Sequence, residues 1–416
     1  MPRSIKPEDL PGLLRPGMTV YAPGLEGESA LVVDALKATP DAAAGVRFTG
    51  VWLPGHNCTD YAGLHPEARS TAFFVGPELR DSFAAGRVGY VPVSYVGIYT
   101  HLRDREVVDL ALLHVSPPDD AGRVSLGIAN DFAPAILDMA GATVAHVNPL
   151  MPRTRGTTLA YAKLDYVIEA PCALAGRAAA VDPVFAAIGG HLASLIHDGD
   201  TVEVGIGGVQ GVLSAFADKR NLAIHAGALT DAVLPLVQAG AIAERDDAIT
   251  TGIAWGSDAL YRFVRDDPRV RFAPVGWTHA IGTLAGIDRF TAINAAIEVD
   301  LLGQVNAEMI GGRQISSAGG ITDFMRGARL SKGGFSVVAL PATARRGTVS
   351  RVVPQLESGT AVSVARGDVD LVATEHGIAD LRGLSVDARA EALIAIAAPT
   401  FRGDLAAAWH LRRSAM

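Results

Sequence analysis

The sequence predicts an α/β protein of two domains, each built on an open, largely parallel sheet, and three observations predict it. Short apolar, β-branched runs alternate with longer Ala- and Leu-rich segments along the chain, which is the pattern of βαβ units. At 416 residues the chain is too long for one ordinary hydrophobic core. A short internal echo sets Leu13-Leu14-Arg15-Pro16-Gly17-Met18-Thr19-Val20 beside Leu195-Ile196-His197-Asp198-Gly199-Asp200-Thr201-Val202, each reading as helix end, glycine turn and strand. βα folds reuse that turn chemistry without common ancestry, so the echo alone leaves duplication and coincidence level.

Taken in order, the strands are expected at Thr19–Ala22, Leu110–Val115, Thr143–Val147, Thr201–Val204, Ala292–Val299, Ser336–Leu340 and Leu371–Ala373, where apolar runs are short and bounded by turn residues. Helices are expected between them, among others at Glu28–Lys37, Val209–Asp218 and Asp231–Ala239, the last opened by the N-cap types Thr230 and Asp231. The stretch from Ala170 to Asp182, with Pro171 and Pro183 around small residues, reads as a linker. The domains are therefore expected at 1–178 and 179–416.

Hydrophobic residues make up 49% of the chain and charged residues 19%, which supplies material for cores and shows no compositional sign of disorder. The formal charge is -8 and no basic run follows the spacing of a phosphate backbone, so nucleic acid is not an expected partner. Residues 1–14 carry Arg3, Lys6, Glu8 and Asp9 without a continuous apolar region, and Ala392–Pro399 falls well short of the ~18 apolar residues of a membrane helix. No membrane partner is expected. Cys58 and Cys172, far apart and the only cysteines, suit neither a disulfide framework nor a structural zinc, so no metal is expected and a reducing cytoplasm fits.

Two glycine clusters carry the first hints of chemistry. Thr201-Val202-Glu203-Val204-Gly205-Ile206-Gly207-Gly208-Val209-Gln210 runs from a strand through a glycine turn into a helix, where a ligand approaches backbone N–H groups at close range. The third glycine of a dinucleotide fingerprint is replaced by Gln210, so nicotinamide is not implied. A tight βα turn that binds nothing has the same signature. Ser316-Ser317-Ala318-Gly319-Gly320-Ile321-Thr322-Asp323-Phe324 is the second cluster; the amides of Gly319 and Gly320 suit an oxyanion site, and a plain surface loop is the alternative.

Six ordered segments then resemble one family. They are Val115-Ser116-Pro117-Pro118-Asp119, Val147-Asn148-Pro149-Leu150-Met151-Pro152-Arg153-Thr154, Gly205-Ile206-Gly207, Asp300-Leu301-Leu302-Gly303-Gln304-Val305, Asp323-Phe324-Met325-Arg326-Gly327-Ala328 and Thr374-Glu375-His376-Gly377-Ile378-Ala379-Asp380-Leu381-Arg382-Gly383. Together they resemble the acetyl-CoA hydrolase/transferase family from about residue 10 to 405. The resemblance implies two CoA-transferase-like domains of the NagB/RpiA type facing each other across a cleft, coenzyme A bound as an acyl-CoA substrate, a small carboxylate as second substrate, and a homo-oligomer of two or more subunits. It also implies covalent catalysis in which a glutamate becomes a glutamyl-CoA thioester.

The same resemblance marks four departures. The family glutamate lies in a His-Thr/Ser-Glu-Met segment, which reads His225-Ala226-Gly227-Ala228 here, so its position is Gly227. The family glutamine two residues before the turn is Glu203, the oxyanion asparagine aligns with His279, and the glutamine of Gly-Gly-Gln-x-Asp-Phe is Ile321. One expectation makes Glu203 and His279 the replacement catalytic pair, His279 acting as general base on water or a substrate group, with hydrolysis or another acyl-CoA conversion in place of CoA transfer. Direct attack by the acceptor carboxylate, aided by the Gly319 and Gly320 amides, is a second; a non-catalytic CoA-binding paralogue is a third. Gly205, Gly207, Gly208, Gly227, His225, Ile321, Phe324, His56 and Asn57 complete the candidate contacts with CoA or substrate, although His225 also suits a purely structural role.

Overall fold

The computed structural model describes residues 1–176 and 182–415. The expected domain division at 178/179 falls outside the described residues.

The apolar runs form two sheets of eight strands each. In the first sheet these are β1 (Arg3–Ser4), β2 (Thr19–Tyr21), β3 (Arg47–Gly50), β4 (Arg69–Ala72), β5 (Val88–Tyr90), β6 (Leu110–Val115), β7 (Ala142–Val147) and β8 (Tyr166–Glu169). The second holds β9 (Thr201–Val204), β10 (Ala223–Leu229), β11 (Ile249–Ala254), β12 (Val270–Phe272), β13 (Phe290–Ala295), β14 (Phe335–Ala339), β15 (Leu371–Thr374) and β16 (Gly377–Asp380). The spatial order is β5-β4-β3-β2-β6-β7-β8-β1 in one and β12-β11-β10-β9-β13-β14-β15-β16 in the other. All pairs of the first sheet are parallel, and in the second only β16 runs antiparallel to its neighbour. Central strands are buried on both faces, β6 and β11 at every residue, which is why they read as unbroken apolar runs rather than alternating ones.

Numbering each domain from the strand that follows the echoed turn, seven consecutive strands have the same order, 4-3-2-1-5-6-7, in both sheets. The echo is structural as well: Gly17 and Gly199, which precede β2 and β9, both hold left-handed backbone at φ 89° and 80°. The two halves repeat one topology, and they differ at the far edge, where β1 closes the first sheet and β16 the second.

Three expected elements differ from those observed. Ala292–Val299 is not one strand: β13 ends at Ala295, and Glu298–Asp300 pairs in a separate three-stranded sheet with Val305–Asn306 and Val352–Val353. A single apolar run had merged two elements that the chain separates by a bend. The segment after the glycine turn is a 3-10 helix over Gly208–Phe216, and Asp231–Ala239 is a 3-10 turn, Asp231–Val233, followed by a short α-helix, Leu234–Gln238. Thr230 nevertheless caps it, its side chain accepting from the Ala232 amide.

The two halves share apolar core. Ile128 and Met151 pack with the second sheet, while Ala228, Ile253, Trp255 and Val275 pack with the first half. A strap from the first half lies against β11: Ala129 bridges Ile253 antiparallel, Asn130 N donates to Gly252 O at 3.0 Å and Ala254 N donates to Ile128 O at 3.0 Å. Among the described residues no helix is long and apolar enough to cross a membrane.

Candidate active site

The strand order locates a site before any side chain is considered. In the second sheet the chain lays down β9 to β12 on one side, then returns to start β13 on the other side of β9. In open α/β sheets the crevice outside the carboxyl ends of the strands at such a reversal is where ligands bind. Glu203 and Gly205 stand at the end of β9 and Asn294 near the end of β13. The carboxyl ends of the first sheet face the same space through the loops that carry Leu25, Leu53 and Phe74.

Between the halves lies a cavity of about 190 Å³. Its apolar wall includes Leu25, Leu53, Phe74, Tyr95, Ile253, Trp255 and Phe324, and its polar groups include Glu203, Asp131, His279, Asn294, Ser316 and Ser317. Gly205, Gly227, Gly319, Gly320 and Ile321 also line it, so the structure brings together most of the residues singled out in the sequence. Among the described residues no lysine or arginine does.

His279 follows the short helix Val275–Thr278 and is buried. Its Nδ1 lies 2.9 Å from Thr278 Oγ1, and the ring packs between Phe324 and Tyr95 with centroids 4.4 and 5.0 Å away. Burial lowers its pKa to about 3, with a further push from His225, so the imidazole is neutral across the physiological range. Two glycines make room for it. A β-carbon on Gly227 would sit 3.0 Å from Cε1 and 3.1 Å from Nε2, and one on Gly320 would sit 2.7 Å from Nε2.

Glu203 is buried on β9, where the register sets Val202 opposite Ile224 and so puts Glu203, His225 and Gly227 on one sheet face. Asn294 Nδ2 donates to its Oε2 at 2.6 Å. Burial nevertheless pushes the carboxyl up to about 8, so it carries a proton at neutral pH. The second carboxylate, Asp131, was not singled out in the sequence. It comes from the strap on β11, its own carbonyl accepting from Val275 N at 2.9 Å and its Oδ1 accepting from Phe132 N at 2.8 Å. Burial raises it to about 6. No single-sequence signal marks Asp131, because only the docking of the strap brings it to the cavity; Leu25, Leu53 and Trp255 were missed for the same reason.

At the opposite wall, Gly320 is the N-cap of the helix Ile321–Leu330, whose first-turn amides point toward the cavity end. Gly319 takes φ 60° there, and its carbonyl accepts from Tyr95 N at 3.1 Å. Anionic oxygen is the natural guest of such an end.

Other expected contacts are placed elsewhere. His225 does not line the cavity: its Nε2 is tied to the Thr278 carbonyl at 2.8 Å, and its ring lies against Trp277 and Phe290. Asn57 is also internal; its Oδ1 accepts from Leu25 N at 2.7 Å and its Nδ2 donates to Glu28 at 2.9 Å, which holds Leu25 at φ 51°. His56 lies behind the cavity, 3.4 Å from Glu26 Oε1 and packed on Trp255. Gly207, at φ 86°, shapes the turn, and Gly208 packs on Phe185. Among the described residues no group of three or more His, Cys, Asp or Glu side chains is arranged to hold a metal ion.

The profile of the acetyl-CoA hydrolase/transferase N-terminal domain matches residues 2–175, and that of the C-terminal domain matches residues 256–409. The chain belongs to the acetyl-CoA hydrolase/transferase family. Within it, the chain is 37% identical over 388 residues to the 4-hydroxybutyrate coenzyme A transferase of Clostridium kluyveri, covering 91% of this chain and 90% of that one. It is 34% identical over 409 residues to the succinyl-CoA:cyclohexane-1-carboxylate CoA transferase of Geobacter metallireducens, covering 96% and 93%. Its fold matches the crystal structure of RipA from Yersinia pestis with a TM-score of 0.91 at 28% identity, over 99% of this chain and 98% of that one. This member of the acetyl-CoA hydrolase/transferase family is thus an acyl-CoA-processing enzyme with the two-sheet α/β fold of CoA-transferases.

Proposed function

We propose that the enzyme moves CoA between an acyl-CoA and a small carboxylate, with Glu203 rather than a residue at position 227 as the carboxylate that carries CoA. The observation that supports this most is the place of Glu203: it lines the cavity on the same sheet face as Gly227, one strand over. In its ionised form Glu203 attacks the thioester carbon; the C–O bond forms, the C–S bond breaks, and CoA leaves as thiolate from a mixed anhydride. The thiolate then attacks the glutamyl carbonyl and expels the acyl carboxylate, and the acceptor carboxylate runs the two steps in reverse. The Gly319 and Gly320 amides receive the oxyanion at each attack. His279, neutral and held by Thr278, orients groups in the cavity and is not the general base expected from its usual pKa.

The wider reading takes 1–178 and 179–416 as the two domains and the protein as a cytoplasmic homo-oligomer that needs neither metal nor nicotinamide. It is carried by the family resemblance and by the free thiols of Cys58 and Cys172. The deciding experiment incubates the protein with a panel of acyl-CoAs and acetate, follows acetyl-CoA, and maps any CoA adduct by peptide mass spectrometry. An adduct on Glu203 that is discharged by acetate and missing in Glu203→Gln is expected. An adduct on another residue, or acetyl-CoA formation undiminished in Glu203→Gln, overturns the assignment.

A further inference from the structure

Asp131 is a buried carboxylate, and among the described residues no cation stands beside it. The groups its charge reaches are the phenols of Tyr21 on β2 and Tyr95 on the helix Tyr95–Asp104, both pushed upward in part by it, and the other titratable groups of the cavity wall are Glu203 and His279. None of these is a base able to neutralise it near neutral pH. An uncompensated buried carboxylate is costly to a fold, and the strap is held by other bonds: Asn130 Oδ1 accepts from Thr157 N at 2.8 Å, and backbone bonds tie it to the other half. Those bonds fix its position: Asn130 and Asp131 are bonded through the backbone to Gly252 and Val275 of the other half. A β-carbon on Gly252 would lie 3.6 Å from Asp131 Cβ and 3.1 Å from the Gly227 carbonyl, so Asp131 stands on the β11 side of position 227 while Glu203 stands on the β9 side. The carboxylate missing at 227 is flanked by two others.

We propose that Asp131 is a second catalytic carboxylate, the proton acceptor that lets water attack the acyl carbon and so gives the cavity a thioester-hydrolysing turnover beside CoA transfer. Water forms the new C–O bond as one of its protons passes to Asp131. The C–S bond breaks, and the departing thiolate takes the proton held by neutral Glu203. Glu203 regains a proton from Asp131 through solvent, so the net change is acyl-CoA plus water to free acid plus CoA. Two carboxyls whose surroundings hold one ionised and the other protonated are the usual arrangement for a base and an acid in one site. Water also suits the cavity better than an anionic acceptor does, since among the described residues no lysine or arginine lines it and the Gly319 and Gly320 amides are taken by the thioester oxygen. The proposal rests on the transfer reading only for placing the thioester carbonyl at Gly319 and Gly320.

The test measures CoA release without acceptor and acetyl-CoA formation with acetate, for wild type, Asp131→Asn and Asp131→Glu, from pH 5 to 9. Wild-type hydrolysis is expected to fall as pH drops through about 6. Asp131→Asn should lower the ratio of hydrolysis to transfer about a hundredfold and remove that acid limb, and Asp131→Glu should restore part of both. Binding of a non-hydrolysable acyl-CoA thioether confirms that each variant keeps its cavity. Hydrolysis by Asp131→Asn at the wild-type rate and pH profile overturns the proposal, as does a wild type that transfers but never hydrolyses. A wild type that hydrolyses but forms no acetyl-CoA sinks the transfer reading and leaves Asp131 standing.

Discussion

The imidazole of His279 fills the space in front of Gly227: a β-carbon at 227 would meet it at 3.0 to 3.1 Å, and Phe324 at 3.6 Å. A glutamate at 227 and the imidazole of His279 therefore compete for one space. Introducing a glutamate alone, Gly227→Glu, is expected to overpack the cavity, cost about 1–3 kcal/mol and show no CoA adduct at 227. The double variant Gly227→Glu/His279→Asn, which clears the ring, should recover Tm and carry the adduct at 227. Thermal melts and peptide mass spectrometry check both, and a single variant as stable as wild type would show that the ring moves aside freely.

Much of this was legible in the sequence because it depends on local pattern. The parallel sheets follow from unbroken apolar runs such as Leu110–Val115, and the turns at Gly17 and Gly199 hinted at the repeated topology without deciding it. Glu203, Gly227 and His279 were singled out residue by residue, and the fold brings all three to one cavity. What stayed hidden depends on contacts between distant segments. Asp131 reaches the cavity only because Ala129 pairs with Ile253, and His225 is withdrawn from it only because Thr278 offers a carbonyl. The direction of the His279 pKa was also out of reach, since the reference value near neutrality ignores the complete burial of the ring.

Transfer through Glu203 has a definite pH dependence. The carboxyl is pushed up to about 8, and only its ionised form attacks a thioester. The rate constant for transfer at low acyl-CoA is therefore expected to rise roughly tenfold per pH unit between about pH 6 and 7.5 and to level off above about 8. A profile of kcat/KM for acetyl-CoA formation reads this directly; a flat profile over that window removes Glu203 as the attacking group.

The same shift has the opposite consequence for stability. In the unfolded chain Glu203 loses its proton near the ordinary glutamate value, whereas the folded protein keeps it until about pH 8. Between those values the folded state holds one more proton, so Glu203 erodes stability as pH rises from about 4.5 to about 8. Glu203→Gln keeps the amide-compatible shape and removes the titration. The variant should match wild type near pH 4 and exceed it at pH 8, by up to about 5 kcal/mol. Melting temperatures at the two pH values test the sign, which is the firm part of the prediction.

The wall formed by Gly319 and Gly320 also ties the two halves together. Asp323 Oδ2 accepts from Val96 N at 2.9 Å, and the Gly319 carbonyl accepts from Tyr95 N at 3.1 Å, so the first turn of the helix Tyr95–Asp104 is capped by the other half of the molecule. Tyr95 in turn supports His279. Asp323→Ala removes the cap and is expected to cost about 1 kcal/mol, in the range of other lost N-caps, while Asp323→Asn retains an acceptor oxygen and should cost less. Because the lost bond joins the helix that follows Gly319 and Gly320 to Val96, next to Tyr95, Asp323→Ala should also lower kcat for acyl-CoA turnover by several-fold, with a smaller change in Asp323→Asn. Melts paired with steady-state rates separate the two effects: a variant that melts earlier yet keeps kcat would show that the cap holds the halves together without aligning the site.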